Sequence, residues 1–185
     1  MNLDFERKEE INYSIIIPHK NSTVLLERCL KSIPCRKDVQ VIVVDDNSEN
    51  QEELNAVVGG FSQVELILTQ GGGAGHARNE GLKYIRGKWV LFADADDFYN
   101  KNAFSILDNY INSDNDVIYF FANSLDVNTL LPTPREKDLQ NIYEKYDSDN
   151  IRSADYIRFK NWAPWNKMIR SLIPQHILLE INLKY

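Results

Sequence analysis

The sequence predicts an α/β fold: a three-layer α/β/α sandwich with a mostly parallel central sheet. Two observations predict it. Short apolar runs alternate with stretches of helical spacing up to Ala122, which is the pattern of successive βαβ units. The runs are continuous rather than alternating, as strands buried on both faces are.

Tyr13 to Pro18 (YSIIIP) is the first such run, and Pro18 ends it. From Ser22 to Ile33, Val24, Leu25, Leu26, Cys29, Leu30 and Ile33 are spaced for one helical face. Val39 to Asp46 (VQVIVVDD) is a second strand, Gln51 to Val58 a short helix, and Val64 to Thr69 a third strand. Gly71 to Gly75 forms a glycine-rich turn into a helix from His76 to Ile85. Lys88 to Asp96 (KWVLFADAD) is a fourth strand, Ala103 to Ile111 a helix, and Asp116 to Ala122 another strand. Beyond it the pattern weakens. Leu131 to Arg135 reads as a turn or extended loop, and Asp138 to Asp149 as a polar stretch. Asn161 to Ile173 is compact and aromatic, and Ile181 to Tyr185 alternates like a strand. In sheets of this kind ligands bind beyond the carboxyl ends of the strands, where the acidic clusters of this chain fall.

Composition narrows the function classes. The net charge is −6, which opposes the broad basic footprint that nucleic acids require. Residues 151–185 carry six Lys/Arg against two Asp/Glu, so residues 1–150 hold 15 basic and 25 acidic residues. That basic end reads as a solvated face or as a surface for an anionic acceptor or membrane. No run reaches the ~20 apolar residues of a membrane span. The polar, acidic start is unlike a secretory signal. A cytoplasmic protein is expected, with peripheral contact at the inner membrane face as an option. Cys29 and Cys35 lack the companions of a metal site and are expected to be reduced thiols. His19, His76 and His176 show no ligand spacing.

Three segments carry candidate chemistry. In Phe92 to Asp97 (FADADD), Asp94 and Asp96 lie two apart at a strand end. In an extended chain such residues point the same way. Paired carboxylates repel unless a cation offsets them, and Mg²⁺ or Mn²⁺ suits oxygen ligands. A solvated, helix-capping acidic loop is the plainer explanation. In Val43 to Ser48 (VVDDNS), Asp45 and Asp46 end a strand; they can accept from a ribose or base, or simply build a turn. In Gly71 to Leu82 (GGGAGHARNEGL), the glycines allow close backbone approach. Arg78 opposes the dipole of a helix starting at His76, which points to a partner such as a strand-end aspartate or a phosphate.

These blocks, in the order SIIIPHKN, VIVVDDNS, GHARNEGLKYIRGKWVLFADADD and NWAPWNKMIRSLI, resemble the family 2 glycosyltransferases across most of residues 13–173. The resemblance implies a GT-A fold and a nucleotide-diphosphate-sugar donor, most often a UDP-sugar. It implies that Asp46 reads the base with Asp45 beside it, and that Pro18 and its neighbours line the base pocket. It places Asp94 near ribose and metal, Asp96 as the main ligand of Mn²⁺ or Mg²⁺, and Arg78 as support for the nucleotide or the aspartates. Lys167 would lie toward the donor sugar. The acceptor would be a saccharide or lipid-linked saccharide, whose hydroxyl would attack the anomeric carbon of the donor with inversion. Lys20 departs from the family pattern, where an aromatic residue stacks on the base. No acidic motif for the catalytic base follows Lys167; Glu180 does not match it. Residues 1–185 are therefore expected to form a single nucleotide-sugar-binding domain that lacks its C-terminal acceptor part. Two functions stay open: a metal-dependent inverting transferase, or a nucleotide-sugar-binding fragment without transfer activity. A sugar nucleotidyltransferase would carry a glycine- and Arg/Lys-containing loop after the first strand, and an NAD-type oxidoreductase would carry GxGxxG. PHKN and GGGAGH are neither.

Overall fold

The computed structural model describes residues 10–144 and 166–172. They form two compact units, one holding residues up to Ile118 and from Lys167 onward, the other Tyr119–Asn166.

The larger unit is built on β1 (Tyr13–His19), α1 (Thr23–Ser32), β2 (Val39–Asp45), α2 (Gln51–Val58), β3 (Val64–Leu68), α3 (Gly73–Gly81), β4 (Trp89–Phe92) and α4 (Ala103–Leu107). β5 (Val117–Tyr119) and β6 (Lys167–Arg170) complete a six-stranded sheet in the order β3-β2-β1-β4-β6-β5. β1 pairs in parallel with both β2 and β4, β2 in parallel with β3, and β4 antiparallel with β6. The mostly parallel sheet agrees with the sequence. β6 does not appear in it, and neither does the extent of β1, which continues through Pro18 to His19. Proline is tolerated there for a positional reason. Ile16 O accepts from Ala93 N on the β4 side, and Pro18, two residues on, faces the same way beyond the last β4 pair. Its missing N–H therefore costs no ladder bond.

β1 and β2 are buried along their whole length, as their unbroken apolar runs require. On one face Ile16, Ile42, Val44, Val90, Phe92 and Ile169 pack with Ala77 and Leu82 from α3 and the turn after it. Gly81 permits this approach, because a Cβ there would stand 2.6 Å from Ile16 Cγ2. On the other face Tyr13 meets Phe104 of α4 edge-on at 5.7 Å. Burial pushes the Tyr13 hydroxyl well above its usual range, reinforced by its bond to Asp108. Ser14 and Gln40, polar residues inside buried strands, are paired at 2.6 Å. They also receive the Arg86 and Gly87 N–H groups, which ties the turn before β4 to the sheet. Cys29 is buried and Cys35 exposed, both as free thiols; burial pushes the Cys29 thiol up to about 12.

In the smaller unit, α5 (Pro134–Glu144) starts inside the segment expected to be a loop. Proline suits the first turn of a helix, where its missing N–H has no partner to lose. The expected strand over 181–185 and His176 lie outside the described residues. No described helix is long and apolar enough to cross a membrane.

Candidate functional site

Strand order reverses at β1, with β2 and β3 on one side and β4 on the other. Ligands of open α/β sheets bind at the carboxyl ends beside such a switch point. Four segments reach this rim: the residues after β1, those after β2, the turn into α3, and the turn after β4.

Asp45 closes β2 and is almost fully buried. Its Oδ1 accepts from His19 Nδ1 at 2.9 Å and from Ser48 Oγ at 2.5 Å. Its Oδ2 accepts from Ser48 N at 2.9 Å and Gln51 Nε2 at 2.8 Å. His19 Nε2 accepts from Ser22 N at 3.1 Å, so the ring proton of neutral His19 sits on Nδ1. Burial works against ionisation of Asp45, but the bonds from Ser48, Gln51 and His19 outweigh it and hold the carboxyl below its usual range. With both oxygens taken by protein donors, Asp45 braces the rim and does not face into it.

Asp46 follows, also buried. Both its oxygens accept from Gly73 N, at 3.0 and 3.1 Å, and Lys20 Nζ stands 3.5 Å away. Asp46 thereby supplies an acceptor to an amide at the start of α3 that has no intrahelical partner. The three glycines make this possible: Gly71, Gly72 and Gly73 have φ of +97, +139 and +84°, a region other residues enter at a cost.

Arg78 pairs with Asp94. The partner is the strand-end aspartate, but the dipole reasoning behind it changes. α3 begins at Gly73, not His76, which places Arg78 in its C-terminal half, where a cation is favourable. The geometry of the acidic motif changes as well. β4 stops at Phe92, so Asp94 and Asp96 do not lie on an extended strand. They lie in a turn closed by Asp97 N to Asp94 O at 2.9 Å and Asp94 N to Asp97 Oδ2 at 3.0 Å. The turn brings in a third carboxylate: Asp94, Asp96 and Asp97 offer oxygens within 4.8 Å of one another. Burial pushes Asp97 up to about 6, and the neighbouring Asp94 and Asp96 charges add to it. An all-oxygen donor set with this mutual repulsion fits a hard divalent cation such as Mg²⁺ or Mn²⁺.

α1 supports the turn from the other side. Arg28 Nη2 donates to Asp96 O at 2.6 Å, and Ser32 Oγ accepts from Tyr99 N at 2.9 Å. Lys167 opens β6 beside the end of β4, on the sheet face that carries Ile169 and α3. It is buried, which lowers its pKa to about 8. Asp97 was readable from FADADD as a third acid in the run. Arg28 carries no such signal, because nothing in the helix around it hints at a partner 68 residues away.

The Glycosyl transferase family 2 model matches residues 14–174. The chain belongs to that family. It is 38% identical over 106 residues to the poly(ribitol-phosphate) beta-N-acetylglucosaminyltransferase TarS of Staphylococcus aureus, a match covering 50% of this chain and 18% of TarS. To the uncharacterized glycosyltransferase EpsJ of Bacillus subtilis it is 26% identical over 164 residues, 85% of this chain and 47% of that one. The crystal structure of S. aureus TarS 1-349 in complex with UDP-GlcNAc superposes with a TM-score of 0.59 at 23% identity, covering 86% of this chain and 45% of that one. The matched stretch thus spans less than half the length of these relatives. The GT-A-type fold expected from the sequence is the fold found, and family membership sets aside the nucleotidyltransferase and oxidoreductase alternatives.

Proposed function

We propose that the chain binds a nucleoside-diphosphate sugar, a UDP-sugar such as UDP-GlcNAc, at the rim between β1 and β4, and that it serves transfer of the sugar with inversion. The observation carrying this is the convergence of Asp94, Asp96 and Asp97 within 4.8 Å of one another beside the switch point. Those carboxylates would hold Mn²⁺ or Mg²⁺, which when bound neutralises the diphosphate leaving group. Arg78 restrains Asp94 and adds positive charge on the same side. Asp46, held at the start of α3, and the backbone around Pro18 line the base side. Asp45 acts through them by bracing His19 and Ser48. Lys20 takes the place of a stacking aromatic and brings a donor for base or phosphate oxygens. An acceptor hydroxyl attacks the anomeric carbon opposite the diphosphate. The new C–O bond forms as the old one breaks, and the hydroxyl proton passes to a carboxylate base outside the residues assigned here. The names of relatives that act on poly(ribitol-phosphate) support a hydroxyl of a glycopolymer as the acceptor.

Calorimetric titration of UDP with and without Mn²⁺ tests the donor site. Metal-dependent binding is expected, lost in Asp96→Ala. In Asp46→Ala uridine itself should bind more weakly whether or not metal is present. Unchanged UDP affinity in Asp96→Ala would remove the metal role, and an Asp46→Ala effect confined to the metal-bound state would move Asp46 to the diphosphate side.

A further inference from the structure

The acidic turn is held between two helices. From α3, Arg78 takes the Asp94 carboxylate. From α1, the hold is on the backbone: Arg28 Nη2 donates to the Asp96 carbonyl at 2.6 Å. The Arg28 guanidinium carbon also lies 5.3 Å from the centre of the Phe98 ring, within cation–π range. One helical turn on, Ser32 Oγ takes the Tyr99 N–H while donating to Cys29 O at 2.6 Å. Residues 96, 98 and 99 are thus tied to one face of α1.

This matters because Asp96 is the exposed member of the three carboxylates. The turn bonds inside the motif link Asp94 with Asp97, whereas the Asp96 carbonyl is held by Arg28. A guanidinium on a carbonyl is a charge-assisted bond of fixed direction. It sets the peptide plane from which the Asp96 side chain departs.

We propose that Arg28 is a positioning residue for the cation site: by fixing the Asp96 backbone it aims that carboxylate at the point shared with Asp94 and Asp97. The proposal rests on the donor-site function above. Groups that orient metal ligands without touching the metal typically change metal affinity by about 10- to 100-fold when removed, and an effect near the lower end is expected for a hold on the backbone.

The test uses the full chain and Mn²⁺ alone, followed by electron paramagnetic resonance, with uridine binding measured in chelator as a separate readout. Arg28→Met keeps the apolar stem and removes the donor; it should weaken Mn²⁺ about tenfold and leave uridine affinity and the thermal midpoint near wild type. Arg28→Lys, which restores a charged donor, should recover most of the loss. Mn²⁺ affinity of Arg28→Met within about twofold of wild type, on the scale set by such orienting groups, would overturn the proposal. So would equal losses of Mn²⁺ and uridine binding, since that would mean general damage to the rim. If the wild type takes up no Mn²⁺, the donor-site function itself fails and the role of Arg28 falls with it.

Discussion

Asp45→Asn is a sharp test of how the rim is held. In the wild type, four donors converge on one buried carboxylate. The amide can keep its oxygen toward Ser48 N and Gln51, which leaves its NH₂ toward His19 and Ser48 Oγ. The serine hydroxyl can rotate and accept. His19 cannot: its Nε2 already accepts from Ser22 N, so Nδ1 carries the proton and two donors face each other. Shifting the tautomer only moves the conflict to Ser22. The substitution therefore removes one charge-assisted bond and strands one buried donor, about 3 kcal/mol in all. Because Asp45 is held below its ordinary pKa, its stabilisation is present above the unfolded value of 3.8 and is lost as pH falls through the folded one. Urea unfolding of both proteins should show the full gap at neutral pH and a narrowing gap below about pH 4. A gap under about 0.5 kcal/mol at neutral pH, or one that does not change with acidification, would refute the bracing role.

Two further outcomes follow from packing and burial. Gly81→Ala places a methyl 2.6 Å from Ile16 Cγ2 and should destabilise by about 1–3 kcal/mol, seen as a lower urea midpoint with unchanged slope. Lys167 is held at about 8 against an ordinary 10.5, so between those values the unfolded chain binds more protons and stability should rise with pH, by about 2–3 kcal/mol across the window. Lys167→Met should flatten that rise; an equally steep profile in the variant would assign it to other groups.

Much of this was legible because burial on both faces leaves a mark. The unbroken apolar runs of β1 and β2 could hardly be anything else in a chain of alternating elements. β6 left no such mark: KMIR is four residues long, half of them basic, and becomes a strand through its pairing with β4 and β5. α5 was hidden by Thr133-Pro134, which signals a turn as readily as a first helical turn. Strand alternation points Asp94 and Asp96 the same way, whereas in the structure a turn brings them together and adds Asp97. Sequence alone could not separate Asp45 from Asp46, since adjacent acids at a strand end look alike until the donors around each are known. Arg28 illustrates the general limit: a contact made across 68 positions to a carbonyl oxygen depends on no side chain at the receiving end.

β4 is hydrogen-bonded on both flanks, to β1 and to β6, and the acidic turn begins where it stops. The β4 amides, paired on both flanks, should exchange with solvent on the timescale of global unfolding, unlike those along the outer strand β3. Under the proposed donor-site function, the strand that leads into the acidic turn is then ordered during folding, before any cation arrives.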